Sequence, residues 1–173
     1  MNQKYITAFA LALLSCVIPA SASTLRPNYN GIHTDSLVHE VMDAWHYAAS
    51  VADSNTYFGT MASEKSIFIG TDETERWTTT EFKKWSRRFF QRSSAWTFVP
   101  VPGERHVTIH GDVAWLDEKL DSKHMGRCRG TGILTFNYDA NTWKIEHYTL
   151  SYSVPNEVAD SVMEVIASST STI

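Results

Sequence analysis

The sequence predicts an α+β domain with helices lying on one face of a bent antiparallel sheet, and three observations carry that prediction. Apolar residues recur at helical spacing through the first half of the chain, as far as Phe89. From Trp96 onward, strand-like segments follow one another across short turns. Helices first and strands afterwards segregate the two kinds of element, which marks α+β rather than alternating α/β.

"MNQKYITAFALALLSCVIPASA" carries Lys4, an uncharged apolar run, then Pro19 and small residues up to Ala22. This layout predicts a signal peptide (1–22) cleaved after Ala22 and a periplasmic or secreted protein, and the run is too short to favour a membrane span. "LLSC" offers a weaker alternative, a lipoprotein cut that would leave Cys16 lipid-bearing. The remainder fits one domain with its own core.

The 173-residue chain has a net charge of −4, a poor basis for binding nucleic acid or an anionic membrane. Lys83, Lys84, Arg87, Arg88 and Arg92 cluster on one predicted helix, read here as a solvated face. With Cys16 in the leader, Cys128 is left alone and makes no internal disulfide, so the fold rests on its core. Cys128 reads as an ordinary strand cysteine; only if exposed would Arg127 and Arg129 favour its thiolate.

In "TDSLVHEVMDAWHYAASVA", Leu37, Val38, Val41, Trp45, Ala48 and Ala52 form one face of a helix capped by Asp35. His39, Asp43 and His46 share the opposite face, which has metal-ligand composition but reads as solvated, so no metal is expected. A short helix from Asp53 should bury Tyr57, Phe58 and Met61. "SIFIGT" reads as a strand ending in a turn at Gly70 and Asp72. Thr78 and Glu81 then form a capping-box pattern for a helix carrying Phe82, Trp85 and Phe89 on one side.

The strands follow as "WTFVPV", a Pro-Gly turn, "RHVTIH", a tight Gly111-Asp112 turn, "VAWLDEKL", "GTGILTFNY" and "WKIEHYTLSYSV". Pro155-Asn156 should start a terminal helix using Val158, Val162 and Val165, with an unstructured "SSTSTI" tail. In the last strand, alternation puts Trp143, Ile145, His147, Thr149 and Ser151 on one side and Tyr148, Leu150 and Tyr152 on the other. Two apolar-leaning faces predict a partner on the outer one, most simply a homodimer.

"FIGTDETERW", "GDVAWLDEKL", "RGTGILTF" and "WKIEHYTLS...PNE", in this order after two helices, resemble the SnoaL-like branch of the nuclear transport factor 2-like superfamily over about residues 35–157. Residues 158–173 then form the terminal helix and tail. The resemblance implies a cone: N-terminal helices packed on a strongly curved sheet, with a pocket open at one end. Relatives include ketosteroid isomerase, polyketide cyclases, dehydratases and an epoxide hydrolase, beside many members without catalysis, so fold carries over better than activity. Many SnoaL-like chains have a histidine at the place held here by Thr149, with His147 two residues earlier.

Candidate site residues follow from faces and chemistry. Alternation sends Leu116, Glu118 and Leu120 to one face and Trp115, Asp117 and Lys119 to the other, so only one of the two adjacent acids can face the pocket. Glu118 is the better general base, with Asp117 the alternative, paired to Lys119 otherwise. Desolvation would raise the pKa of a carboxyl in an apolar cone unless a buried arginine, with Arg129 the obvious one, neutralises it. His147 is a candidate relay. Asp72, Glu75 and Trp77 sit where the cone mouth is expected, and Tyr57, Trp115 and Arg129 complete the candidate ligand-binding set. Phosphate-loop, dinucleotide and zinc signatures are missing, so no cofactor is expected. The function predicted is binding of a small, largely apolar ligand, with cofactor-independent acid/base chemistry of isomerase, cyclase, dehydratase or hydrolase type if it is an enzyme. The alternative is a non-catalytic dimerisation module with a vestigial pocket.

Overall fold

The computed structural model describes residues 34–170. The expected leader, its cut after Ala22 and Cys16 lie outside the described residues.

Helix α1 (Asp35–Ser50) buries Val38, Met42, Trp45, His46, Ala48 and Ala49. Asp35 is its first residue rather than its cap, which is Thr34. The helix stops before Ala52, expected to be part of it, because Ala52 takes a positive φ of 57°. Asp53 accepts hydrogen bonds from the Asn55 and Thr56 amides and so starts α2 (Ser54–Gly59), which buries Tyr57 and Phe58. Strand β1 (Ile67–Ile69) pairs with β2 (Arg76–Thr78), a strand lying within what reads as turn sequence. The Thr78/Glu81 capping box opens α3 (Thr79–Ser86), as its sequence predicts.

Strands β3 (Val99–His110), β4 (Val113–Ser122), β5 (Gly126–Asn137) and β6 (Thr142–Tyr152) form an antiparallel meander. The six-stranded sheet runs β2-β1-β6-β5-β4-β3, curved and not closed, and β1 lies parallel to β6, so the sheet is mixed at that one seam. Its concave face and the helices enclose the core, which runs from Val38 and Trp45 to Leu134, Ile145 and Tyr148. No helix among the described residues is long and apolar enough to cross a membrane.

Two irregularities correct the sequence reading, and both position the site. The Pro-Gly turn is not a turn: β3 is continuous, and its register with β4 shifts between Pro100 and Arg105, with Gly103 at φ 75°. In β6, Ile133 pairs with His147 but Leu134 pairs with Ile145, so Glu146 is the extra residue of a bulge. One extra residue exchanges the two faces beyond it. Trp143 and Ile145 therefore point inward before the bulge, and Tyr148 and Leu150 after it, making one continuous buried face. His147 is carried to the outer face.

After a one-turn 3-10 helix, α4 (Ala159–Thr170) leaves the domain and packs mainly on that turn. Val158 and Val165, expected to pack, are exposed, as are Met163 and Ile166. Ser168 to Thr170, expected in the tail, belong to α4.

Candidate functional site

Alternation along β4 turns Ala114, Leu116, Glu118 and Leu120 inward, and Glu118 is only 1% exposed. An ionised carboxylate only accepts hydrogen bonds, so each neighbour must bring a proton. His46 Nε2 of α1 donates to Oε1 at 2.8 Å, Tyr148 Oη of β6 donates to the same oxygen at 2.6 Å, and Arg105 Nε of β3 donates to Oε2 at 2.8 Å. Arg105 Nη1 reaches on to Asp43 Oδ1 at 2.8 Å and the His39 carbonyl at 3.1 Å. The buried acid is thus the hub of a network joining α1, β3, β4 and β6.

Each partner has a local reason to be there. The two-residue turn at Gly111 and Asp112 sets His110 opposite Val113, and that register puts Arg105 opposite Glu118. The β6 bulge turns Tyr148 inward. His46 follows Trp45 and lies one turn beyond Met42, at the flank of the buried stripe that the curved sheet wraps over. Gly130, opposite Glu118 on β5, leaves the space: a Cβ there would overlap the Tyr148 hydroxyl and come within 3.1 Å of Glu118 Cγ.

The electrostatics reverse the expected direction for Glu118. Burial pushes its pKa up, but the His46 hydrogen bond, the His46 and Arg105 charges and the Tyr148 hydroxyl outweigh it and hold the carboxyl at about 2. At neutral pH it is a fixed anion, which makes it a weak general base and a strong orienting group for His46 and Tyr148. Burial and then the Glu118 charge drive the Tyr148 phenol well above its ordinary range. Burial lowers the Arg105 pKa, but Glu118 and Asp43 more than offset this. Arg105 Nη2 is buried with no hydrogen-bond partner among the described residues.

Space around the cluster is scarce. The cavity lined by Trp45, His46, Tyr57, Phe68 and Tyr148 has a volume of about 10 Å³, close to the minimum for one water. Nearer the cone mouth lies a pocket of about 200 Å³ lined by Glu75, Trp77, Phe82, Trp85, Trp96 and Met125. Phe68, Trp96, Phe98 and Leu150 line both spaces, so one layer of side chains separates the pocket from the charged cluster. Its floor is a ring stack: Phe68 lies 4.2 Å from Phe82, and Trp77 5.3 Å from Phe82, at interplanar angles of 4° and 20°.

The predicted residues therefore part company. Glu118 and Tyr57 are inside, and Trp77 and Glu75 line the mouth pocket. Asp72 is exposed in the β1–β2 turn, where its side chain accepts from Thr74. Asp117, Trp115 and Arg129 are exposed on the outer face, and His147 lies on that face beside Ile67 and Ile133. Lys119 pairs with Glu104 at 2.7 Å rather than with Asp117, and Arg105, not Arg129, neutralises Glu118. Cys128 is fully buried and its thiol is pushed up by burial, as befits an ordinary strand cysteine. His39, Asp43 and His46 do not form one solvated face: His46 turns to Glu118, while His39 and Asp43 bracket Arg105.

Arg105 and His46 were missed as site residues, and both left a signal. Arg105 shares a strand face with Val107 and Ile109, and His46 sits beside Trp45, the buried tryptophan of α1.

Residues 38–155 match the SnoaL-like domain. No curated protein matches the chain in sequence. Among solved structures, a provisionally assigned dehydratase of the NTF2-like family from Streptomyces avermitilis has a TM-score of 0.58 at 14% identity, covering 69% of this chain and 96% of its own. A provisionally assigned ketosteroid isomerase from Shewanella frigidimarina has a TM-score of 0.53 at 19% identity, covering 70% and 98%. An NTF2-like protein of unknown function from Pseudomonas putida has a TM-score of 0.56 at 12% identity, covering 71% and 89%. At these identities the structures speak for the fold alone, while the domain match covers more than half of the sequence. The chain belongs to the SnoaL-like domain family of NTF2-like α+β cones.

Proposed function

We propose that the protein is an exported binding protein for a small, largely apolar ligand held at the cone mouth, and that it works as a homodimer. The observation that carries this reading is the mouth pocket: about 200 Å³ walled by Trp77, Phe82, Trp85 and Trp96, with Glu75 at its edge. Aromatic walls with few polar groups fit an apolar guest. Binding is favoured over chemistry by Glu118, because that acid is fully engaged, held at about 2, and screened from the pocket by Phe98 and Leu150. The dimer reading rests on Trp115 and Ile133, paired neighbours on the outer face that are 48% and 45% exposed. Export rests on the N-terminal layout from Lys4 to Ala22.

Native mass spectrometry of the protein from the periplasm tests all three parts. The expected result is a dimer of chains beginning at Ser23, carrying a small molecule that the Trp77→Ala variant has lost. Chains retaining residues 1–22 would remove the export reading, and a monomer at high micromolar concentration the dimer. An empty protein whose melting temperature no apolar compound raises would remove the binding reading.

A further inference from the structure

The mouth pocket is too small to enclose a whole drug-sized ligand, for which sites of several hundred Å³ are usual, so it takes one end of its guest. What lies next to it decides what the other end is. Trp96, in the wall of the mouth pocket, also lines a groove of about 820 Å³ between the segment after α3 and the β4–β5 turn. Met125 of that turn faces the mouth pocket, while its neighbours Lys123, His124 and Gly126 face the groove.

The groove is cationic in a chain whose net charge is negative. Arg92, Lys123, His124 and Arg127 line it against one acid, Asp121. Asp121 is already engaged, since Arg127 Nε lies 3.0 Å from its Oδ1. Arg92, stacked on Phe89, and Lys123 have no carboxylate partner among the described residues. Unpaired cations at the rim of an aromatic pocket fit a molecule with an apolar end and an anionic end.

We propose that the ligand is an amphipathic anion: its ring or alkyl end enters the Trp77–Trp85–Trp96 pocket, and its carboxylate, sulfate or phosphate group sits between Arg92 and Lys123. This rests on the mouth pocket being the binding site. A free amphiphile and a membrane lipid offer the same chemistry, and the chain's net charge of −4, which disfavours an anionic membrane surface, favours the free molecule.

The test titrates the mature protein with octanoate and with octanol below micellar concentrations, following tryptophan fluorescence. Octanoate should bind roughly tenfold tighter, a margin of about 1.4 kcal/mol. That margin should shrink in high salt and vanish in Arg92→Gln/Lys123→Gln, with octanol binding unchanged. Lys123→Gln alone, which leaves the Arg92–Phe89 stack intact, should lose part of it. Equal affinities in the wild type would overturn the anion proposal and leave the apolar pocket standing. Binding of neither probe, or binding indifferent to Trp77→Ala, would overturn both. Association only with phosphatidylglycerol vesicles would overturn the free-ligand proposal in favour of a membrane surface.

Discussion

Glu118→Gln is expected to lower the free energy of unfolding by roughly 3–5 kcal/mol, as for other buried ion pairs robbed of one partner. The carboxylate satisfies three donors at once, from His46, Tyr148 and Arg105, all on buried side chains. The amide is nearly isosteric, but its nitrogen brings protons where the cluster needs an acceptor. It also leaves the Arg105 guanidinium, whose side chain is 5% exposed, with only the exposed Asp43 to balance it. Urea denaturation at pH 7 measures the loss. A paired change, Glu118→Met with Arg105→Leu, should recover only part of it: removing both charges removes the uncompensated one, but His46 and Tyr148 are still left without their acceptor. A loss under about 1 kcal/mol for Glu118→Gln would show that the hub carries little of the stability.

Acid should unfold the wild type through the same group. The Glu118 carboxyl lies at about 2 in the folded protein against an ordinary 4.5. The stabilisation is therefore fully present above about pH 4.5 and is lost as pH falls from there toward 2, when the unfolded chain binds the proton more readily. A displacement of this size corresponds to about 3 kcal/mol. Asp53, Asp72, Glu81 and Glu104 also have lowered pKa values, but they are exposed and contribute alike to wild type and variant. Glu118→Gln should accordingly show a flatter acid limb in stability measured from pH 6 to pH 2. Parallel acid limbs in the two proteins would mean that Glu118 is not the group whose protonation opens the fold.

Much of the site was legible in the sequence, and the missed part has a specific cause. "VAWLDEKL" places Glu118 inside by alternation alone, since a period of two needs no knowledge of neighbours. Its arginine was legible as well: counting back from the two-residue turn at Gly111 pairs residue 105 with 118, whereas Arg129 shares a face with Lys119, its register partner. Simple alternation groups His147 with Trp143 and Ile145 and sets Tyr148 opposite them, and this grouping fails because alternation breaks at one residue, Glu146, while nothing local in "WKIEHYTLSYS" marks the bulge. Trp115 was placed in the pocket on chemistry, although its own strand parity pointed outward.

By itself the sequence determined the helix starts at Asp53 and Thr78, the meander from β3 to β6, the burial of Glu118 and the domain family, because caps, turns and binary patterns act within a few residues of one another. The tertiary structure alone decided which donors surround Glu118, and with them its charge state. His46, Arg105, Glu118 and Tyr148 come from four elements, and their distances are set by how far the sheet curves over α1 and by a bulge in β6. A carboxylate's pKa depends on groups within a few ångströms in space, wherever they lie along the chain, and the separations here are 72, 13 and 30 residues.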